Sequence, residues 1–410
     1  MRILWLSHFV PWPPVGHGAL QRSYHLLRVA AARHEVHLLA VAPPSAAAAD
    51  LDLAAATIAL RHLTAGADIY PLPPDRRHLR RMGLLLRGIA RGESHWERWF
   101  RAPTMDDRVR ELRGRFDLVH VDSVVLAAYR ASVAGTPAVL NHHNIESALV
   151  RLRSDTARNG VTRAVLRHEA SKLEALERDW APRAAVNLVV SELDGERLRG
   201  LAPAAKIEVV PNGVDTEYFR ADPGIRAEPS TLVFAGGMDW YPNRDAVAHF
   251  ARDIWPRLVA TNTSRRVLVI GRSPPSELTE LRDSRIQVLG FVPDVRSLVS
   301  RAAIYICPMR IGGGTRLKIL DALSMSRALV STDLGVEGLD LTPEVHFLRA
   351  NTPEEFDRQI TRLEGDEALR LRLGQAGRAL VEQRFSWTVV GQRLLETYEQ
   401  AAVHGALVSR

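Results

Sequence analysis

The stretch "AIYICPMRIGGGTRLKILDALSMSRALVSTD", residues 303 to 333, joins two apolar segments through a glycine-rich loop and a helical pattern. The first segment, "AIYICP" (303–308), and the last, "ALVSTD" (328–333), are short and β-rich, so each predicts a buried strand. The apolar spacing of "TRLKILDALSM" (315–325) predicts a helix between them. Because two strands joined through a helix pair in parallel, this stretch predicts a parallel sheet covered by helices.

The same alternation of short apolar strands and longer helical segments continues through the whole chain. Strands are predicted in the first half at residues 2–7, 35–41, 117–122, 137–143 and 185–191, and in the second half at 231–237, 266–271, 285–290, 303–308 and 328–333. This order of elements is typical of doubly wound α/β domains, in which helices cover both faces of a parallel sheet.

A segment dense in proline, glycine and aspartate, residues 201–230, separates the two halves. The chain has 410 residues, which exceeds what one hydrophobic core usually covers, so two domains facing each other are the simplest arrangement. We predict an N-terminal Rossmann-like domain over residues 1–203 and a C-terminal one over residues 204–385. A final helix over residues 386–410 is predicted to dock against one of them.

Composition narrows the class of protein. A hydrophobic content of 46% and a charged content of 25% are typical of soluble folded chains, and no apolar run approaches the roughly 18 residues that span a bilayer. The single cysteine, Cys307, excludes an internal disulfide and a cysteine-built metal site, as expected in a reducing cytoplasm. The net charge of +7 is diffuse and no nucleic-acid-binding motif accompanies it, so we predict no nucleic-acid partner.

The loop of the opening stretch brings glycines next to two cations. Glycines 312–314 leave backbone N–H groups accessible, and Arg316 and Lys318 fall in the first turn of the predicted helix. Cations in a first turn oppose the helix dipole, whereas a diphosphate bound there would meet the helix N-terminus and both positive charges. The alternative is a flexible loop with solvated cations and a pair between Lys318 and Asp321. The Walker A order of residues is absent.

Two polar stretches follow predicted strands in the first half. "VGHGALQ" (15–21) lacks the third glycine of a dinucleotide fingerprint, so it predicts either a tight turn or a close approach of the backbone to a ligand. "NHHNIE" (141–146) ends a buried strand with two histidines and a carboxylate. Ligands of open α/β sheets bind at the carboxyl ends of strands, so both a structural and a functional role stay open for this stretch.

Three stretches of the second half, "VVPNGVDTEYF" (209–219), "LVFAGGMDWYPNRDAVAHF" (232–250) and "GGGTRLKILDALSMSRALVSTDLGVEGL" (312–339), together resemble a known family. They resemble the retaining GT-B glycosyltransferases of the "glycosyl transferases group 1" superfamily, and within it the enzymes that are similar to glycosyltransferase family 4. "PPVGHGALQRSYHLLRVAAARHEVHLLA" (13–40) and "HNIES" (143–147) resemble the N-terminal domain of a subgroup that makes bacterial surface polysaccharides. The resemblance covers nearly the whole chain and implies two Rossmann-like domains facing a cleft.

The resemblance implies a retaining glycosyltransferase that uses no cofactor and no metal ion. The donor, a nucleotide-diphosphate sugar, would bind mainly to the C-terminal domain, and the saccharide, lipid-linked or small-molecule acceptor mainly to the N-terminal domain. The acceptor hydroxyl would attack on the front face with help from the departing phosphate, whose charge fixed cations and helix N–H groups stabilise. Loops set the sugar, the nucleotide and the acceptor, and the sequence does not identify them.

The resemblance also implies which residues form the site. His143 matches a histidine beside the anomeric carbon, and Arg316 and Lys318 would neutralise the diphosphate; these are the predicted catalytic residues. The predicted donor-binding residues are Gly16, Gly18, Gly237, Asn243, Gly313, Gly314, Thr315 and Asp321. Asp321 stands at the second carboxylate of the family's acid, seven residues, acid motif, whereas Gly313 stands at the first. This departure leaves a catalytically idle sugar-nucleotide-binding paralogue as the alternative function.

The segment "RRHLRRMGLLLRGIAR", residues 76–91, contains six arginines and no acidic residue among its leucines, methionine and isoleucine. Such a segment predicts either a helix that lies on an anionic membrane surface or a solvated basic element whose apolar side packs on the core. The first interpretation would place a cytoplasmic protein at the inner face of the cell membrane, near a lipid-linked acceptor.

Overall fold

The computed structural model of the chain describes residues 1–13, 18–43, 52–73, 79–157, 159–280 and 283–408. Two parallel sheets are present in these ranges, and each belongs to its own compact unit. The first unit contains Met1–Pro211 with Gly391–Arg410, and the second contains Asn212–Val390. The predicted α/β class with two Rossmann-like parallel sheets is therefore confirmed.

The sheet of the first unit has seven strands within the described ranges, all paired in parallel in the order β3-β2-β1-β4-β5-β6-β7. They are β1 Arg2–Ser7, β2 Glu35–Ala42, β3 Gly66–Pro71, β4 Leu118–Val121, β5 Ala138–Asn141, β6 Val186–Val189 and β7 Ile207–Val209. The strand order reverses between β1 and β4, and sheets of this kind bind ligands outside the carboxyl ends of the strands at that reversal.

Helices connect these strands. They are α1 Gly18–Ala31, α2 Leu53–Leu63, α3 Leu79–Arg91, α4 His95–Trp99, α5 Pro103–Glu111, α6 Glu146–Asp155, α7 Gly160–Trp180 and α8 Glu192–Leu201, with 3-10 turns at Val124–Tyr129 and Ala181–Arg183. Polar side chains fix several of the helix starts. Asn159 accepts hydrogen bonds from the first N–H groups of α7, and Ser191 accepts one in α8, so helix N–H groups that lack an intrahelical partner are satisfied.

The sheet of the second unit has six parallel strands in the described part, in the order β10-β9-β8-β11-β12-β13. They are β8 Glu228–Ala235, β9 Arg266–Ile270, β10 Ile286–Gly290, β11 Ala302–Cys307, β12 Ala328–Ser331 and β13 Leu348–Arg349. The helices are α9 Tyr241–His249, which continues through a π-helical turn at Phe250–Ile254, α10 Trp255–Thr261, α11 Ser276–Thr279, α12 Arg296–Arg301, α13 Leu317–Ser324, α14 Pro353–Gly365, α15 Glu367–Arg384 and α16 Trp387–Val408. Here the strand order reverses between β8 and β11.

Each of the ten predicted strands overlaps a strand of the structure, whereas β3, β7 and β13 were not predicted. The missed strands lack a long apolar run: β3 has the sequence "GADIYP", and β13 has only two residues. The predicted boundary after residue 203 precedes β7, which pairs with β6, so the structure divides the chain after Pro211 instead. The last helix begins at Trp387, and from Gly391 onward it belongs to the first unit.

Helix α16 packs closely on α1 within the first unit. A Cβ added at Gly391 would lie 2.6 Å from a methyl group of Val29, so only glycine permits this approach. Further along the helix, the Tyr398 hydroxyl and His120 Nδ1 are hydrogen-bonded at 2.8 Å in the buried interior. Among the helices of the described ranges, none combines the length and the apolar character that crossing a membrane requires.

Candidate functional site

The glycine-rich loop joins β11 to α13 at the strand-order reversal of the second sheet. Gly312 has φ 135° and Gly314 has φ 71°, both in the region that side chains rarely adopt. Helix α13 begins at Leu317, so Arg316 occupies the N-cap position and only Lys318 lies in the first turn. The prediction that both cations lie in that turn is therefore wrong for Arg316. Neither cation is fully solvated, because Arg316 is 6% exposed and Lys318 is partly buried.

Lys318 has an amide and an aromatic ring as its neighbours. Its Nζ donates a hydrogen bond to Asn243 Oδ1 and lies 4.5 Å from the centroid of the Phe234 ring. The Asn243 amide is fixed in turn, because its Nδ2 donates to the Gly237 carbonyl at 2.7 Å. Burial lowers the pKa of Lys318 to about 8, since a partly buried ammonium loses solvation. The structure thus brings three of the predicted residues, Lys318, Asn243 and Gly237, into one cluster.

A glycine that the sequence did not single out leaves the space for this lysine. A Cβ added at Gly236 would lie 2.9 Å from Lys318 Nζ and 3.0 Å from Asn243 Nδ2. A Cβ at the predicted Gly237 would instead meet Asp239 Oδ1 at 2.6 Å. Both glycines follow β8 in the sequence "AGG", so the glycine pair itself was the available signal.

The guanidinium group of Arg316 lies beside the carboxylate of Glu337. The distance from an Nη atom of Arg316 to Glu337 Oε2 is 4.0 Å, the outer limit of an ion pair. Glu337 follows β12 in "TDLGVEGL", and sequence reasoning did not select it. Because β11 and β12 are neighbours in the sheet, their carboxyl ends lie side by side. The carboxylate of Glu337 therefore lies beside the glycine-rich loop, where Gly313 has no side chain to provide one.

Asp321 and Thr315 complete the predicted set around α13. Thr315 Oγ1 accepts a hydrogen bond from Asn212 Nδ2 at 2.5 Å. Asp321 Oδ1 is buried and makes no hydrogen bond within the described part of the chain, and burial raises the pKa of Asp321 to about 8. The alternative that pairs Lys318 with Asp321 is not observed, since Lys318 bonds to Asn243 instead. Buried carboxylates without a donor cost free energy, so this oxygen is suited to a ligand hydroxyl.

The remaining predicted residues belong to the first unit or lie outside the described residues. Gly18 begins α1, and Gly16 lies outside the described residues. His143 follows β5, and its Nε2 lies 3.0 Å from the main-chain oxygen of Asp122 and 3.2 Å from Asp122 Oδ1. Asp122, which follows β4, was not predicted as a site residue. The signal for it was the polar residue at the end of a buried strand, "LVHVD" (118–122).

Asp122 is the centre of a buried polar cluster at the strand-order reversal of the first sheet. Ser23 donates to its Oδ2, and Asn141 Nδ2 donates to its Oδ1 at 2.7 Å. Burial alone would raise the pKa of Asp122, but the contacts with His143 and His120 hold this pKa well below its usual range.

His8, Asp122 and His143 also place possible metal-ligand atoms within 4.8 Å of one another, and among the described residues they form the group that could hold a metal ion. Both carboxylate oxygens of Asp122 already accept a hydrogen bond, one from Ser23 and one from Asn141.

A buried arginine balances the charge of this carboxylate. Arg22 is 1% exposed, and its Nη2 donates to Asn141 Oδ1 at 3.0 Å, while its Nη1 donates to the Pro211 carbonyl at 2.8 Å. Asn141 therefore connects Arg22 to Asp122 through its two amide atoms. Burial lowers the pKa of Arg22 to about 10, and the nearby charge of Asp122 opposes that shift. The cluster thus combines one anion and one cation in the interior.

Two family models match the chain. The model of "Glycosyl transferases group 1" matches residues 229–366, and the model of "Glycosyltransferase Family 4" matches residues 17–218. Between them they include the loop before α13 in the second unit and the cluster around Asp122 in the first.

Curated relatives and solved structures show the same similarity. The phosphatidyl-myo-inositol mannosyltransferase of Mycobacterium leprae is 24% identical over 75% of this chain and 80% of its own length. The crystal structure of HepE from Anabaena in complex with UDP aligns with a TM-score of 0.67 and 15% identity, over 97% of this chain and 100% of that one. The sucrose-phosphate synthase of Thermosynechococcus elongatus aligns with a TM-score of 0.70 and 16% identity, over 98% and 99%.

Proposed function

We propose that this chain, which belongs to the group 1 glycosyltransferases with the GT-B fold, is a retaining enzyme that uses a nucleotide-diphosphate sugar as its donor. The acceptor is a hydroxyl group of a lipid-linked molecule or a saccharide, in glycolipid or polysaccharide biosynthesis. The observation that carries the proposal is the environment of Lys318, a cation that is partly buried in the first turn of α13 with an amide oxygen as its hydrogen-bond partner. A diphosphate at this position would supply the anion that the environment favours.

A bound diphosphate would explain why two cations and a buried carboxyl group lie around this loop. An anion near Lys318 stabilises its protonated form, and it also meets the first N–H groups of α13 and the guanidinium of Arg316. The carboxylate of Glu337, at 4.0 Å from Arg316, lies beside that guanidinium at the same loop. The buried Asp321 Oδ1 is available to accept a hydrogen bond from a hydroxyl group of the donor ribose.

The proposed reaction exchanges one bond at the anomeric carbon for another on the same face. The bond from the anomeric carbon to the diphosphate oxygen breaks, and the acceptor oxygen forms the new bond to that carbon. The proton of the acceptor hydroxyl passes to an oxygen of the departing diphosphate. Negative charge grows on the diphosphate during this step, so Lys318, Arg316 and the N–H groups of α13 stabilise the transition state without a metal ion.

The comparisons support this choice of substrates. HepE is described in complexes with UDP and with UDP-glucose, which are a nucleotide diphosphate and a nucleotide-diphosphate sugar. The curated relatives are named as mannosyltransferases of phosphatidyl-myo-inositol, a lipid. We therefore favour a lipid-linked acceptor over a small soluble one.

A second candidate function is a sugar-nucleotide-binding protein without transferase activity. Gly313 favours it, because the family's first carboxylate is missing at that position. Glu337 favours the enzyme, because it brings a carboxylate from the neighbouring strand end to the same loop. The two candidates differ in turnover and not in donor binding.

The test begins with a thermal-shift screen of nucleoside diphosphates and their sugars. A ligand at 100 times its Kd raises the free energy of unfolding by about 2.7 kcal/mol. Nucleoside diphosphate release from the best donor, with and without lipid acceptors, then measures turnover. Release supports the enzyme, whereas binding without release over the whole panel would show the idle paralogue. Absence of any shift would contradict both candidates.

The exposed face of α3 extends the proposal to the membrane surface. Met82, Leu86 and Ile89 recur at helical spacing and are 53%, 61% and 45% exposed. Leu84 packs against the core, so one side of α3 contacts the first unit and the opposite side exposes apolar side chains. Arg87 is also exposed, and the sequence around the helix contains no acid from residue 76 to residue 91. We propose that this face binds anionic lipid peripherally, next to a lipid-linked acceptor.

A further inference from the structure

The cluster around Asp122 determines which nitrogen of His143 carries the proton. His143 is 8% exposed, and its Nε2 faces two oxygens of Asp122, the main-chain oxygen at 3.0 Å and Oδ1 at 3.2 Å. Two acceptors can be satisfied only by an N–H group, so the proton of a neutral His143 lies on Nε2. The lone pair of the imidazole therefore lies on Nδ1.

The Nδ1 atom of His143 is an unsatisfied atom of this cluster. It is buried and accepts no hydrogen bond from the residues that the structure describes. The rings of His8 and Phe9, two residues that follow β1, have centroids 5.6 and 6.0 Å from the His143 ring. An acceptor that is buried without a donor costs free energy, and a hydroxyl group from a substrate would remove that cost.

The carboxylate of Asp122 is held in one orientation before any ligand binds. Ser23 on α1 and Asn141 at the end of β5 each donate to one of its oxygens. The nearby positive charge of Arg22, which donates a hydrogen bond to Asn141, favours the ionised carboxylate. An ionised and fixed acceptor holds the N–H of His143 more firmly than a neutral one would.

We infer that Asp122 is a positioning residue of the transfer reaction: it holds His143 in the tautomer whose Nδ1 accepts a hydrogen bond from a substrate hydroxyl group. This inference rests on the proposed glycosyltransferase function. It adds a residue that acts through His143 and does not touch the substrate itself. The strand-order reversal between β1 and β4 is where the first sheet is expected to present a ligand site. His8 and Asp122 follow these two strands, and His143 follows the adjacent β5.

A double-mutant cycle tests the inference on the full-length protein with its best donor and acceptor. Asp122→Asn keeps the shape of the side chain and removes its charge, and His143→Gln removes the imidazole. Each single variant should lower kcat by about 10- to 100-fold, with the donor KM within about twofold, because the donor is held by the second unit. In the double variant, kcat should be no lower than in His143→Gln alone, since Asp122 acts through the imidazole.

The neighbouring His142 provides the matched control. It is also buried, but its Nε2 pairs with Asn187 Oδ1 at 3.1 Å and not with Asp122. Asp122→Asn should therefore lower kcat by the same factor in a His142→Gln background as in the wild type. An equal loss of kcat in the His143→Gln background would overturn the inference, as would an unchanged kcat in Asp122→Asn. Wild-type protein that turns over no donor would overturn the inference together with the proposed function.

A spectroscopic measurement covers the case in which Asp122→Asn fails to fold, because Arg22 then loses its balancing anion. The chain has 15 histidines, and the signals of His143 in a 15N-histidine-labelled sample are those missing from His143→Gln. Wild-type His143 should show a proton on Nε2 and a bare Nδ1. A proton on Nδ1 would overturn the inference without any variant of Asp122.

Discussion

The two sheets carry polar groups at equivalent places, yet the two sets differ in how completely they are satisfied. In the second unit, burial moves Lys318 and Asp321 toward neutrality, with each pKa at about 8. In the first unit, Asp122 is more deeply buried, but its hydrogen bonds and charge contacts keep its pKa well below the usual range. One site is electrostatically incomplete and the other is preorganised. This contrast fits the proposal that a charged ligand binds the second unit, whereas in the first unit the groups around Asp122 hold one another in position.

Substitution of Lys318 should have the largest effect. A charge-assisted hydrogen bond contributes about 1.5 to 3 kcal/mol, so Lys318→Gln should lower donor kcat/KM by roughly ten- to a hundredfold or more. Burial disfavours the charged lysine in the folded state, so the variant should be equally stable or more stable at pH 7 without ligand. Donor kinetics and the melting temperature of the ligand-free protein measure the two effects.

Lys206→Gln is the matched control for this experiment, because Lys206 is an exposed lysine of the first unit. It should change neither donor kinetics nor melting temperature. A loss of stability in Lys318→Gln with kcat/KM within twofold of wild type would mean that the lysine is structural. The polar groups of the second site would then be satisfied within the protein, as those of the first are, and the proposed difference between the two sites would be wrong.

Gly236→Ala should have the next largest effect, because the new Cβ would lie 2.9 Å from Lys318 Nζ. The lysine can move, since the contact is with the end of a flexible side chain, so the protein should fold while donor affinity falls by about tenfold. Gly374→Ala is the opposite case, because its Cβ would meet the Ser326 carbonyl oxygen at 2.2 Å. That variant should lose stability and keep the wild-type donor affinity per folded molecule. Thermal shift and donor titration of both variants distinguish site from scaffold.

The pH dependence of stability should reveal the raised pKa of Asp321 in the second unit. The folded-state pKa of Asp321, at about 8, lies above its ordinary value of 3.8. The folded state therefore binds more protons than the unfolded state between these values, so this group makes stability fall as pH rises through that window. Asp321→Asn should remove this part of the decline. The melting temperature of the variant relative to wild type should rise from pH 5 to pH 8.5, and a constant difference would contradict the unsatisfied carboxylate.

Local patterns in the sequence were sufficient for much of this arrangement. Apolar runs predicted the long strands, and the resemblance selected Lys318, Asn243 and Asp321 at positions that the structure places around α13. What those side chains contact did not follow from local sequence. Lys318 bonds to Asn243, which is 75 residues earlier in the chain, and not to Asp321 one turn away.

The residues that sequence reasoning missed are those whose position depends on strand order. Asp122 approaches His143 because β4 and β5 are neighbours, and Glu337 approaches Arg316 because β11 and β12 are neighbours. A single polar residue after a strand carries no information about which other strand ends lie next to it. Strand order results from packing of the whole sheet, so these pairs become visible only in the folded structure.

Membrane binding through α3 should give the smallest effect, because each side chain contributes a small part of the buried apolar area. Leu86→Gln removes an exposed leucine beside Arg87 and should reduce flotation with anionic liposomes at low salt by severalfold, without changing melting temperature. Ile58→Gln is the matched control, because Ile58 is equally exposed on α2 but lies outside the arginine-rich segment. Neutral liposomes should bind wild type weakly, since the arginines provide the attraction to anionic lipid. Equal flotation with both lipids, or an equal loss in both variants, would show that the face of α3 is an ordinary solvated surface.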